Sequence, residues 1–305
     1  MRWLLFVLLL TACTPTAHVI REFSDPTEVY FCPHDDCRGK FIEQLRNAQT
    51  IDCAVYDIDL PEVIDELNSK HARVVLDHES SLFTNNATID SKYTQMHNKF
   101  CVLDNKIVIS GSMNPTLRDT SINYNNLLII HSKDIAKTYT EEFNELYSGT
   151  FSGGDRTIKT QHYVNDETIE TYFCPEDWCV NEILYVMDEA KESIHFMVFS
   201  FTHDKIGDML LKKAAQGLIV DGFMEKSQNN AYSEFKRLNG TIPVQWESTG
   251  VNLHHKVFII DRKIVITGSI NPSVNGDTKN DENMLIIHSP RLAESYLHEY
   301  EIITK

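Results

Sequence analysis

One polar pattern occurs twice in this chain, at matching places in its two halves, and it demands a duplicated fold. The first copy is His97-x-Lys99-x4-Asp104-x6-Gly111-Ser112-x-Asn114-Pro115. The second is His254-x-Lys256-x4-Asp261-x6-Gly268-Ser269-x-Asn271-Pro272, with no gap relative to the first. Both copies are threaded through apolar, strand-like sequence, where polar side chains are costly to bury. Packing alone does not account for them. The pattern implies one active site built from two half-sites.

The likeness between halves extends well beyond these motifs. Tyr30-Phe31-Cys32-Pro33 answers Tyr172-Phe173-Cys174-Pro175. Apolar residues at three- and four-residue spacings predict helices over 40–48 and 180–191, then over 60–69 and 205–216. Strands are predicted over 51–58 and 194–201, then over 73–77 and 218–221. The motif strands form hairpins, 99–103 with 106–110 and 256–260 with 263–267, turning at Asp104-Asn105 and Asp261-Arg262. A strand over 126–132 or 283–289 and a helix over 135–147 or 291–300 close each repeat. Alternating helices and strands predict an α/β fold, with an α-β-α sandwich in each half and the halves face to face around a pseudo-twofold axis. The expected division is a signal peptide over 1–12, a tether over 13–27, a first repeat over 28–148, a linker over 149–165 and a second repeat over 166–305.

The N-terminus joins one basic residue to a short apolar run and small residues, the pattern of an export signal. Leu10-Thr11-Ala12-Cys13 resembles the lipobox of prokaryotic lipoproteins, which implies lipidation at Cys13 and a surface-anchored or otherwise secreted protein. Cysteine usage fits export. Cys32 with Cys37 and Cys174 with Cys179 are expected to close small local disulfides, cross-repeat bridges being the open alternative. Cys53 and Cys101, in apolar strand-like runs, read as buried free thiols. A formal net charge of −16 argues against broad adhesion to polyanions but leaves room for a small cationic pocket.

His97 and Lys99 alternate with apolar neighbours and share one strand face, as do His254 and Lys256. His255 falls on the opposite face and reads as a packing or surface residue. Two facing histidines can divide attack on phosphorus from protonation of the leaving oxygen. Lys99, Lys256, Asn114 and Asn271 suit the non-bridging oxygens of a phosphodiester. These paired motifs strongly resemble the phospholipase D superfamily, over about residues 28–305. The resemblance implies metal-independent phosphodiester cleavage or transfer through a phosphohistidine, with no cofactor. It implies His97 as nucleophile, His254 as general acid, Asp104 and Asp261 as structural supports acting through nearby basic groups, and Ser112 and Ser269 as site-lining hydroxyls. A supporting acid stands only in the second repeat, as Glu282, where the first has Asn125. If these side chains cross the axis, Glu282 supports His97 and Asn125 faces His254.

Three substrate readings follow. The bare two-repeat chain favours an exported endonuclease on DNA or RNA, active as a monomer. The alternative is a phospholipase D or cardiolipin synthase-like phosphatidyltransferase acting on phospholipid, and the third is a non-catalytic surface binding protein. Lys92, Lys226, Lys236, Arg237 and Lys279, the candidate groove cations, are scattered along the chain.

Overall fold

The computed structural model describes residues 21–303. The expected signal peptide and Cys13 lie outside them. The first repeat runs β1 (Glu28–Cys32), α1 (Cys37–Asn47), β2 (Ile51–Val55), α2 (Pro61–Ser69), β3 (Arg73–Leu76), β4 (Ala87–Ile89), β5 (Lys99–Leu103), β6 (Ile107–Gly111), α3 (Leu117–Ser121), β7 (Asn125–His131) and α4 (Lys133–Tyr147). The second runs β8 (Gln161–Val164), β9 (Glu167–Cys174), α5 (Cys179–Glu189), β10 (Ser193–Val198), α6 (Asp204–Ala215), β11 (Ile219–Met224), α7 (Phe235–Leu238), β12 (Val244–Trp246), β13 (Lys256–Ile260), β14 (Ile264–Gly268), α8 (Val274–Thr278), β15 (Glu282–His288) and α9 (Pro290–Ile303).

The sheets are ordered β1-β7-β6-β5-β2-β3-β4 and β12-β11-β10-β13-β14-β15-β9-β8. Strand for strand the second repeats the first, with β8 added at its edge. That extra strand lies within the expected linker. Its neighbour Glu22, from the expected tether, bridges Val164 and receives the Ser132 hydroxyl and the Lys133 amide on its carboxylate. Each sheet has two parallel pairs, β2–β3 with β3–β4 and β10–β11 with β11–β12, the first of each crossing through α2 or α6, and antiparallel pairs elsewhere.

Apolar periodicity sets the layers. In α4, Ile135, Tyr139, Phe143 and Leu146 are buried on one face, and the Ser132 hydroxyl caps the helix by accepting from the Ile135 amide. That face packs in one cluster with Phe100, Val102 and Leu128 of the first sheet and with Phe173, Leu285 and Ile287 of the second. Tyr296 and Leu297 of α9 do the converse, joining Val257, Ile259 and Val265 to Phe31 and Tyr124. The terminal helices therefore lie between the sheets, and α1, α2, α5 and α6 pack on the separate outer cores.

The hairpin turns explain the aspartates of the motif. Asp104 and Asn105 have φ of 53° and 51°, and Asp261 and Arg262 have 51° and 53°. Two successive left-handed residues make the tight turn that matches strand twist, and after glycine Asp and Asn tolerate it best. Gly111 and Gly268, with φ of 131° and 141°, lie against the Asn126 and Asn283 carbonyls, which a Cβ would meet at 2.3 and 2.2 Å. No other residue fits there.

Cysteine pairing departs from expectation at one place. Cys32–Cys37 and Cys174–Cys179 are local disulfides, but Cys53 and Cys101 are also bonded to each other and are not free thiols. They are direct cross-strand partners on β2 and β5, with Cα atoms 4.1 Å apart. The second repeat carries the apolar pair Phe196 and Phe258 at the matching register, so duplication gives no hint of the bridge. The bridge closes a 48-residue separation. A Cys53→Ala/Cys101→Val double variant is expected to lose about 2–4 kcal/mol of stability in urea unfolding. An unchanged midpoint contradicts a stabilising bridge.

Candidate active site

The repeats meet through two matched backbone bridges, Met96 with Asp281 and Tyr124 with Leu253. Through them the His97 amide donates to the Asp281 carbonyl and the His254 amide donates to the Tyr124 carbonyl, each at 2.9 Å. The residue that follows each carbonyl then reaches across the axis. Glu282 takes His97 Nδ1 at 2.8 Å, and Asn125 Oδ1 takes His254 Nδ1 at 2.8 Å.

Behind these contacts lies a fully buried polar frame. Ser269 donates to the Glu282 carboxylate at 2.5 Å, and the Asn280 amide donates to its other oxygen at 3.2 Å. Ser112 donates to Asn125 Oδ1 at 2.9 Å. Both serines thus point at the partners of the histidines and hold them, rather than opening toward a ligand. Asn283 accepts from the Lys99 amide, and Asn126 meets His255, which is fully buried between Asn126 and Glu299.

Lys99 and Lys256 are buried, and each ammonium donates to the carbonyl of the histidine two residues before it. Tyr56 lies 5.0 Å from His97, ring to ring, and Phe199 lies 4.9 Å from His254, both edge-on. The same rings lie under the Lys99 and Lys256 ammonium groups, at 5.1 and 5.0 Å. They are half-buried residues at matching ends of β2 and β10. Their repetition after the paired strands was the signal that motif spacing overlooked.

Burial dominates the proton affinities. It holds both histidines well below the ordinary imidazole range, helped at His97 by Lys99 and Lys256 and at His254 by Lys256. It lowers Lys99 to about 8, and with Lys99 alongside it holds Lys256 well below the ordinary lysine range. Glu282 is pushed up to about 8 by burial, against the pull of Lys99, Ser269 and Asn280.

Asp104 and Asp261 stand at the far ends of the motif strands from the histidines. Asp104 accepts from the Gln49 and Thr50 amides, and Asp261 accepts from those of Lys191, Glu192 and Ser193. Their support is given by backbone amides at the starts of β2 and β10, not by a basic group. Asn114 donates its side-chain amide to Asp119 at 2.8 Å, while Asn114 Oδ1 and Asn271 Oδ1 are buried without partners among the described residues.

Asp119 is the residue that sequence reasoning missed. Its Oδ2 lies 3.5 Å from His254 Nδ1, so this histidine also has a carboxylate beside it. Burial opposes ionisation of Asp119, but His254, Asn123 and Asn114 hold its affinity below the usual carboxylate range. At the matching register the second repeat has Gly276, whose missing side chain leaves room for the Asn271 carbonyl, 2.5 Å from where a Cβ would sit. Glu282 with Gly276 and Asn125 with Asp119 are therefore alternative ways of giving each histidine one acid.

Comparisons with known proteins identify the family. The family model described as Cardiolipin synthase, PLD-like domain matches residues 62–147 and 183–303. A protein of Rickettsia conorii named phospholipase D is 32% identical over 151 residues, which are 47% of this chain and 74% of that protein. Nuc, a phospholipase D family member from Salmonella typhimurium, is 30% identical with a TM-score of 0.42, covering 45% of this chain and 93% of its own. Phosphatidylserine synthase of Haemophilus influenzae shares the fold over 90% of this chain and 86% of its own, with a TM-score of 0.67 at 12% identity. The chain belongs to the phospholipase D superfamily of phosphodiesterases.

Proposed function

We propose that this phosphodiesterase is an exported endonuclease that cleaves DNA or RNA through a covalent phosphohistidine on His97. The carrying observation is the matched pair of half-buried rings, Tyr56 and Phe199, one beside each histidine. A polynucleotide phosphate has a nucleoside on each side, and aromatic faces bind bases with little regard to sequence. A site with equal flanks fits that substrate better than a diester with one small polar and one long apolar arm.

In this reading Glu282 accepts the Nδ1 proton of His97 and leaves the Nε2 lone pair free for attack. The P–N bond forms as the P–O bond to the leaving nucleoside breaks, and His254 delivers its Nε2 proton to that oxygen. His254 then takes a proton from water, whose oxygen displaces His97 from phosphorus. Lys99, Lys256, Asn114 and Asn271 hold the non-bridging oxygens. The incoming anion offsets the mutual repulsion of the two ammonium groups. Asp119 stabilises the charged form of His254. Asp119→Asn is expected to slow natural diesters about 10- to 100-fold, while nitrophenyl diesters, whose leaving group needs no proton, change less than about threefold. Equal losses on both substrates contradict the assignment.

A phospholipid substrate has its own support. Leu82 and Phe83 on a loop and Leu117 at the start of α3 are exposed, and both places are tied to the 58–59 segment, by the Leu82 amide to the Ile58 carbonyl and the Leu117 amide to Asp59. The Rickettsia relative is named phospholipase D. Purified protein offered labelled DNA, RNA and phospholipid vesicles in excess chelator decides between them. Nucleic-acid cutting that disappears in His97→Ala supports the nuclease. Headgroup release with DNA and RNA left intact overturns it. Export and anchoring at Cys13 are part of the proposal and rest on the N-terminal sequence.

A further inference from the structure

The segment between β3 and β5 carries a group of side chains that the phosphodiester chemistry does not use. Asp77 and His78 follow β3, Asp90 follows β4, and pairing of β3 with β4 brings the three together. One donor atom from each lies within 4.8 Å of the others. Asp77 is 0% and Asp90 5% exposed, and neither forms an ion pair with a lysine or arginine among the described residues. His78 Nδ1 is 3.2 Å from Asp90 Oδ1 and 3.3 Å from Asp77 Oδ1, yet its single proton serves only one of them. Among the described residues, Asp77 Oδ2 is buried with no hydrogen-bond partner. Adjacent buried carboxylates in this state are costly without a compensating cation.

The second repeat shows what the fold alone requires. There Glu225 stands in the place of Asp77 and does two jobs with one carboxylate. Its Oε1 accepts from the Ser227 amide and its Oε2 accepts from the Leu253 amide, just before His254. In the first repeat the same jobs are divided: Asp77 Oδ1 accepts from the Glu79 amide, and Asp90 Oδ2 accepts from the Met96 amide, just before His97. Asp77 Oδ2 and the His78 ring exceed what loop support needs.

We propose that Asp77, His78 and Asp90 form a binding site for one first-row divalent cation, Zn²⁺ or Mn²⁺. An imidazole with two carboxylates suits these ions better than Ca²⁺ or Mg²⁺, which prefer all-oxygen shells. The His78 side chain is 32% exposed, which leaves a route to solvent and room for water to complete the coordination. The cation sits outside the reaction. It clamps the segment that sets His97, through Asp90 to Met96 and through Glu79 to the Tyr56 hydroxyl at 3.0 Å.

The test is calorimetric titration of the chelator-stripped protein with ZnCl₂ and with MnCl₂, alongside thermal melting. One equivalent is expected to bind with micromolar or tighter affinity, and saturation to raise the melting temperature by about 5 °C. Asp77→Asn and His78→Ala are each expected to weaken binding at least tenfold. Asp77→Asn keeps an acceptor for the Glu79 amide, and His78→Ala removes a partly exposed ring, so the second decides if the first does not fold. Absence of binding of both ions up to about 1 mM overturns the site. So does a weakening of less than tenfold in a folded variant.

Discussion

Replacement of His97 by alanine is expected to lower phosphodiester cleavage by on the order of 10⁴-fold or more, with the fold intact. The side chain is the proposed nucleophile, and Lys99 or His254 does not replace it, because neither presents an unprotonated nitrogen aligned by Glu282. The fold survives because Ser269 and Asn280 still satisfy the Glu282 carboxylate. The measurement is a cleavage assay on a labelled single-stranded oligonucleotide and on a nitrophenyl diester, with a melting curve as the control. Residual activity within about tenfold of the parent contradicts covalent catalysis at this position.

The second large effect is expected for Glu282→Gln, about 10³-fold in kcat/KM. Glutamine can turn its amide toward His97 Nδ1 and donate to it. The ring proton is then forced onto Nε2, the atom that must attack. A carboxylate can only accept, so it selects the reactive tautomer. This also fixes the pH profile of the parent. Activity rises as pH climbs through about 8, where Glu282 loses its proton. The expected profile therefore has an acidic limb near pH 8, and Glu282→Gln removes it. An unchanged acidic limb in the variant contradicts the role of Glu282. Asn125 gives His254 no such selection, which is why Asp119 matters there.

The motif frame was legible because it is duplicated: paired histidines and lysines in apolar strands carry their own register, and the Asp104 and Asp261 turns follow from it. The crossing of Glu282 to His97 was readable as an expectation from the break in symmetry with Asn125. Features that do not repeat were harder to see. Cys53 and Cys101 pair across strands where the other half has Phe196 and Phe258, and 48 residues of sequence separate them. Asp119 has only Gly276 opposite it, so comparing the halves passes over it. β8 lies in a stretch rich in glycine and polar residues, and its pairing with β9 depends on tertiary context. The supports of Asp104 and Asp261 are backbone amides, which leave no mark in residue identity.

The division of labour between the histidines is tested most directly with His254→Ala and a nitrophenyl phosphodiester. This leaving group needs no proton, so His97 still attacks, but the histidine that activates water is gone. The account predicts a burst of about one nitrophenol per chain followed by slow turnover, with the phosphoryl adduct mapped to the His97 peptide. No burst, or an adduct on any other residue, contradicts it.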